Sequence, residues 1–149
     1  MNVIAALTAM LIIGAQPNAG KSNSAYDNKY VRFEFTLDHT DFTPGETGTL
    51  SVFLTPNTGV HINTDPPIEY QFEKKAHVTF TAKATMPKDS VTGYLDTQKP
   101  ATISFTLDKN ISPGIYSIKG KVKYFFCSET EGWCNQFAQP VTVIIRVKK

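Results

Sequence analysis

The chain has 149 residues, of which 41% are hydrophobic, 11% aromatic and 19% charged. These proportions are typical of one globular domain and exclude a disordered polymer. Fifteen Lys and Arg against thirteen Asp and Glu leave a net charge of +2, spread along the chain, so no basic arm or stripe predicts nucleic-acid binding. The two cysteines are too few for a disulfide-framework miniprotein.

The first nineteen residues are interpreted as a signal peptide. Residues 3–15 form an apolar stretch interrupted only by Thr8 and Gly14, shorter than the ~20 residues that span a bilayer. Small residues follow, where a signal peptidase could cleave near Ala19, although no basic residue precedes the stretch. We therefore expect residues 1–19 to be removed and residues 20–149 to form a periplasmic or otherwise exported domain.

Residues 15–22, with the sequence AQPNAGKS, resemble a relaxed phosphate-binding loop. Such a loop needs a strand before it and a helix after it, so that backbone N–H groups converge on phosphate. Here residues 23–29 are polar without a helical period, and Ala15 stands where the motif has its first Gly. We therefore predict that the chain binds no nucleotide.

The rest of the chain has the alternation of half-buried β-strands. In residues 30–37, apolar Val31, Phe33 and Phe35 alternate with polar neighbours. Similar runs, separated by turn-forming Pro, Gly, Asn and Asp, lie at residues 49–54, 68–72, 78–84, 101–107, 114–126 and 141–147. About seven strands without a helical period predict an all-β protein, an immunoglobulin-like antiparallel β-sandwich, with a small barrel as the alternative.

The cysteines lie at a predicted hairpin tip. Only six residues separate Cys127 from Cys134, and a disulfide between them closes a short ring that stabilises by only about 2.5 kcal/mol on the chain-entropy formula. Two thiols on a hairpin are also suited to thiol–disulfide exchange, in which one sulfur joins a partner and the second resolves the mixed disulfide. Glu129 and Glu131 would disfavour a thiolate electrostatically.

Two other interpretations of the pair stay open. The first is a static disulfide that locks the hairpin of a structural or binding domain. The second is a metal site formed by Cys127, Cys134 and His61, with zinc or copper as the ion. Zinc sites usually pair cysteines two to four residues apart, so the spacing favours this second interpretation least.

Four segments together resemble a known family: VKYFFC (122–127), a short acidic loop with GWC (132–134), PVTV (140–143), and upstream GVHIN (59–63) with its Pro-Pro turn. They are similar to the amino-terminal periplasmic domain of the thiol:disulfide interchange protein DsbD. The resemblance implies an immunoglobulin-like fold with one redox pair, in which Cys134 forms the mixed disulfide and Cys127 resolves it. It also implies a component of a protein-disulfide reductase that exchanges electrons with thioredoxin-like periplasmic proteins and a membrane electron conduit. We expect this domain to be a monomer that uses no cofactor.

The resemblance further implies a cap loop that shields the cysteines until a partner displaces it. By position this loop is residues 86–96, with Tyr94 covering the sulfurs, or else an ordinary loop with a half-exposed aromatic residue. We expect Trp133, Phe126 and Tyr124 to form an apolar docking rim, with the core of the hairpin as the alternative.

Two departures from the family pattern concern the cysteine hairpin. Six residues rather than five separate the cysteines, and Asn135 follows Cys134 where the family has an aromatic residue. Both predict a changed partner surface or reduction potential.

Overall fold

The computed structural model describes residues 28–149. The predicted signal peptide and the segment resembling a phosphate-binding loop lie outside the described residues. Residues 28–149 contain no helix with the length and hydropathy needed to cross a membrane. They form nine strands: β1 (Val31–Leu37), β2 (Asp41–Phe42), β3 (Thr47–Pro56), β4 (Val60–Ile62), β5 (Glu69–Phe72), β6 (Val78–Phe80), β7 (Ala101–Leu107), β8 (Gly114–Ser128) and β9 (Trp133–Val147).

The strands form two sheets that pack face to face. The first has the order β1-β3-β7-β6, and the second has the order β2-β9-β8-β4, with β5 also paired to β8. Only β2 with β9 is a parallel pair. This is the division of an immunoglobulin sandwich, in which strands A, B, E and D form one sheet and C, F and G the other. The predicted all-β, immunoglobulin-like sandwich is confirmed.

The core lies between the sheets and is built by the alternation seen in the sequence. In β1, Val31, Phe33 and Phe35 are buried while Arg32 and Glu34 are exposed. The same pattern in β3, β7, β8 and β9 fills the interior, whose largest fully buried side chains are Tyr124, Phe42, Phe105, Phe126, Leu50, Leu54, Ile62, Ile103, Leu107, Ile118, Ile145 and Gln139. Burial of the apolar side chains in this set is the main stabilising contribution.

Every predicted strand is present, and two further strands appear. β2 and β4 are two and three residues long, too short to show a period of two. The predicted strand at 78–84 ends at Phe80, and the one predicted from 141 starts at Trp133. That strand was predicted too short because Asn135 and Gln136 are polar on both faces, which hides the alternation.

β8 and β9 form a long ribbon that carries the cysteines. Their register runs without interruption from Gly114 opposite Val147 to Ser128 opposite Trp133. Since successive side chains alternate between faces, one set faces the core and the other faces away from it. A Cβ at Gly120 would lie 2.4 Å from the Phe72 ring, so glycine is required where β5 pairs with β8.

Candidate functional site

The disulfide joins two residues that are directly opposite each other in the ribbon. Cys127 and Cys134 are register partners, bonded to each other with a Cα–Cα distance of 4.0 Å. They are the last pair but one before the turn, which ends at Gly132 with a φ of 71° and an N–H that donates to the Ser128 carbonyl at 2.9 Å. Positive φ suits glycine, so Gly132 allows this tight reversal. The predicted hairpin location of the pair is confirmed.

The two sulfur-bearing residues differ in accessibility. Cys127 is only 7% exposed, whereas Cys134 is exposed. The side-chain amide of Asn63 donates to Cys127 Sγ at 3.4 Å. An attacking group therefore reaches Cys134 first, and Cys127 is the sulfur with a hydrogen-bond donor beside it.

His61 lies beside Cys127, on the side opposite to Cys134. β4 pairs with β8 so that His61 is opposite Cys127, and directly opposite residues project from the same face of a sheet. His61, Cys127 and Cys134 therefore form one row on the outer face of the second sheet. Among residues 28–149, no group of three or more His, Cys, Asp or Glu side chains has an arrangement that could hold a metal ion.

The predicted cap loop, residues 86–96, is a tight hairpin attached to the edge of β4. The Leu95 N–H donates to the Ile62 carbonyl at 2.9 Å, and the Asp96 N–H closes the hairpin on the Pro87 carbonyl at 3.0 Å. Leu95 is buried, so its side chain anchors the loop from beneath. These contacts hold the neighbouring Tyr94 at the outer face of the sheet.

Tyr94 joins His61 to the turn between the cysteines. Its ring stacks on the His61 ring with centroids 3.6 Å apart and an interplanar angle of 18°. Its hydroxyl donates to a Glu129 carboxylate oxygen. This hydrogen bond, followed by desolvation and the negative charge of Glu129, raises the pKa of Tyr94. Tyr94 is thus half-buried between the immediate neighbours of the disulfide, and its covering of the sulfurs stays a prediction.

The tip of the same hairpin is fixed by Asp89. One of its carboxylate oxygens accepts from the Val91 and Thr92 N–H groups at 2.9 and 2.7 Å, and from the Thr92 hydroxyl at 3.0 Å. The Thr92 and Val91 backbone hydrogen bonds lower the pKa of Asp89. The Val91 side chain projects from this tip and is 91% exposed.

Both carboxylates of the cysteine turn are bonded to aromatic side chains. Tyr94 donates to Glu129, and the Trp133 indole N–H donates to Glu131. The sequence places both charges near the sulfurs but does not identify the side chains that bond to them. A period-two count from His61 would have placed Asn63 on the same face, whereas nothing in the sequence pairs Tyr94 with a residue 35 positions away.

The three predicted rim aromatics occupy different places. Tyr124 and Phe126 are 0% and 2% exposed, because they occupy core-facing positions of β8. A partner cannot contact them, so the rim role is corrected for both, and the core alternative describes them. Trp133 is half-buried at the end of the ribbon, 4.7 Å from the Tyr30 ring and edge-on to Phe126 at 6.0 Å.

Comparison with protein-family models found no match, and comparison with curated proteins found none either. Solved structures with a similar fold include the GAE domain of yeast GGA1, at a TM-score of 0.46 and 13% identity, covering 83% of this chain and 99% of that domain. They also include the collagen adhesin CNA from S. aureus, at a TM-score of 0.31 and 9% identity, covering 80% of this chain and 43% of the adhesin. The class defined here is an immunoglobulin-like sandwich with a hairpin disulfide.

Proposed function

We propose that this protein is an exported thiol–disulfide exchange module that passes reducing equivalents to or from thioredoxin-fold partners through Cys127 and Cys134. The observation that supports this most is the asymmetry of the pair: one exposed cysteine and one buried cysteine on the same hairpin. A bond that serves only as a staple has no need of this asymmetry. The resemblance of the cysteine hairpin to the DsbD amino-terminal domain supports the same function.

The exchange proceeds in two displacements. A partner thiolate attacks Cys134 Sγ, a bond forms between these two sulfurs, and the Cys127–Cys134 bond breaks with Cys127 leaving as a thiolate. A second partner thiolate then displaces Cys134, which leaves a dithiol here and a disulfide in the partner. The reverse sequence sends two electrons the other way, with Cys134 as the attacking thiolate.

Asn63 assists the first displacement. Its amide N–H groups carry partial positive charge, and it already donates to Cys127 Sγ at 3.4 Å. A hydrogen bond to the charged form of a group stabilises that form. Asn63 therefore favours Cys127 as the leaving thiolate and reinforces the choice of Cys134 as the sulfur that is attacked.

Tyr94 acts as the cover in this proposal. Its stacking on His61 and its hydrogen bond to Glu129 place it across the β4 side of the site. Because both contacts involve single side chains at an exposed edge, a partner can displace the ring without disturbing the core.

Trapping tests the roles of the two cysteines. Cys127→Ser leaves Cys134 as the lone thiol, and Cys134→Ser is the matched control. Each would be mixed with a thioredoxin variant that lacks its resolving cysteine and carries 2-nitro-5-thiobenzoate on the remaining one. We expect Cys127→Ser to release the coloured thiolate at least about tenfold faster, because its thiol is the exposed one. Equal rates, or no mixed disulfide with either variant, would contradict the assignment.

The static and metal interpretations predict other results. A static bond resists reduction until the fold melts. A metal site binds zinc or copper stoichiometrically in the reduced protein and loses it in His61→Ala, with His77→Ala as the control because His77 lies near Asp108 and away from the cysteines. Metal binding that depends on His61 would replace the exchange proposal.

A further inference from the structure

The strand that carries Cys134 has an open edge. β9 pairs with β8 along its whole length, but on its other side β2 covers only Arg146 and Val147. Within residues 28–149, no strand pairs with that side of β9 from Trp133 to Ile145. Open edges present unpaired backbone groups to which another chain can bond.

Backbone N–H and C=O groups alternate in direction along a strand, and this alternation shows which groups of β9 face the open edge. The Arg146 and Lys148 N–H groups donate to Thr40 and Phe42, on the side away from β8. Because the register is uninterrupted and direction alternates along a strand, the even-numbered residues of β9 point their N–H and C=O groups the same way. Cys134 and Ala138 therefore present backbone groups to the open edge.

The side chains along this edge lack the usual protection. Natural edge strands are blocked by charged residues, above all lysine, or by proline. No charged residue occurs between Cys134 and Ile145, and Pro140 is the only proline there. The Gln136 N–H is bonded to its neighbour's side chain, Asn135 Oδ1, at 2.8 Å, an exposed contact that an incoming strand can replace. The unprotected part thus runs from Cys134 to Ala138.

The direction of attack on the disulfide leads to the same edge. Displacement at sulfur is in line, so a thiolate approaches Cys134 Sγ from the side opposite to Cys127. Since Cys127 lies on β8, that side is the open edge of β9.

We propose that residues 134–138 of β9 bind the exchange partner through an added strand: an extended, uncharged segment of the partner that lies beside its reactive cysteine pairs with this edge, while the sulfur of that cysteine joins Cys134. This inference rests on the proposed exchange function and names how that site recognises its partner. Backbone pairing gives affinity without demanding particular side chains, which suits a module that serves several thiol proteins.

Proline substitution tests the pairing. Ala138→Pro removes an N–H that faces the open edge and leaves the pairing with β8 intact, and prolines are tolerated at such positions. Thr142→Pro is the matched control, because it also removes an N–H that faces the open edge, but at a position outside residues 134–138. The measurements are the second-order rate constants for reduction by reduced thioredoxin and by dithiothreitol, which has no backbone to pair.

We expect Ala138→Pro to slow reduction by thioredoxin about tenfold, the loss expected for one backbone hydrogen bond. Its rate with dithiothreitol and both rates of Thr142→Pro should stay at wild-type values. Equal thioredoxin rates for Ala138→Pro and wild type, or equal slowing by both prolines, would overturn the edge proposal while leaving the exchange function standing. Failure of both reductants on the folded wild type would instead overturn the exchange function.

A peptide experiment keeps the proposal testable if Ala138→Pro does not fold. A short cysteine peptide and its copy with alternate backbone nitrogens methylated would be reacted with the wild-type protein, and we expect the methylated peptide to react about tenfold more slowly. Equal rates would overturn the proposal. Sedimentation of the wild type as a dimer that Ala138→Pro dissociates would also overturn it, because the occupant would then be a second copy of this chain.

Discussion

The two ends of the β8–β9 ribbon are built from the same alternation yet differ in what covers them. At the far end, which contains Gly114 and Val147, β2 is hydrogen-bonded to the edge of β9 that faces away from β8. There Asp41 contacts Arg146 at 3.6 Å and Lys148 at 2.6 Å. At the cysteine end, no strand within residues 28–149 pairs with that edge of β9. The far end is closed by backbone pairing and ion pairs, while the cysteine end is open.

The difference separates stability from reactivity. At the closed end, Phe42 is buried against Phe105 with ring centroids 5.4 Å apart, so changes there should alter the free energy of unfolding. At the open end, Cys134 is exposed and Tyr94 is held by a stacked ring and one hydrogen bond. Changes there should mainly alter the rate at which the disulfide reacts.

The largest effect is expected for Phe42→Ala at the closed end. Loss of this buried ring should reduce the free energy of unfolding by about 3–5 kcal/mol, measured by denaturant titration. The exposed Ile115 at the same end provides the control, since Ile115→Ala should change stability by less than about 0.5 kcal/mol. A loss below about 1 kcal/mol for Phe42→Ala would mean that this end does not hold the sandwich together.

Removal of the disulfide should have a smaller effect on stability. The double variant Cys127→Ala/Cys134→Ala frees a ring of eight residues and should lose about 2.5 kcal/mol while keeping the fold, because the core at the closed end is untouched. Denaturant titration with far-ultraviolet circular dichroism measures both. Complete unfolding of the variant would show instead that the hairpin bond is a principal staple.

Tyr94→Phe should change reactivity without changing the fold. It keeps the stacking on His61 but loses the hydrogen bond to Glu129, so we expect dithiothreitol to reduce the disulfide about three- to tenfold faster. Tyr116→Phe is the matched control, because it removes a hydroxyl bonded to the Ser112 carbonyl at 2.8 Å near the closed end. An unchanged rate for Tyr94→Phe would rule out the hydroxyl as part of the cover.

The smallest effect concerns pH at the closed end. The Lys148 hydrogen bond and the positive charges of Lys148 and Arg146 lower the pKa of Asp41. A carboxyl with a depressed pKa in the folded state stabilises above its unfolded pKa of about 3.9, and that stabilisation is lost as the pH falls through the folded pKa. Hydrogen exchange of the Arg146 and Lys148 amides should therefore lose protection below about pH 4, but not in Asp41→Asn. Protection that falls equally in both proteins would remove Asp41 as the cause.

The fold was predictable where a strand is long and half-buried. β1 and β7 follow the alternation almost residue for residue. The short spacing of the two cysteines between two predicted strands indicated the hairpin. The start of β9 was not predictable in this way, since both faces are polar at Asn135 and Gln136. Tyr124 and Phe126 show a related limit: aromatic character does not reveal which face of a strand looks inward until the register is known.

The candidate site was predictable only in part. The sequence indicates the cysteine pair and the position of Tyr94, but the stacking of Tyr94 on His61 and its bond to Glu129 depend on how distant loops meet. The open edge of β9 could not be foreseen either, because the pairing of β2, a strand of two residues, determines where that edge begins.

Redox titration of the folded protein tests the central claim most directly. The wild type would be equilibrated in glutathione buffers of defined potential, its thiols alkylated and counted by mass, and its fold followed by circular dichroism. We expect half-reduction above about −300 mV with the fold intact, since inert structural disulfides lie below that value. A disulfide that stays oxidised until the protein unfolds would contradict exchange and leave a static bond.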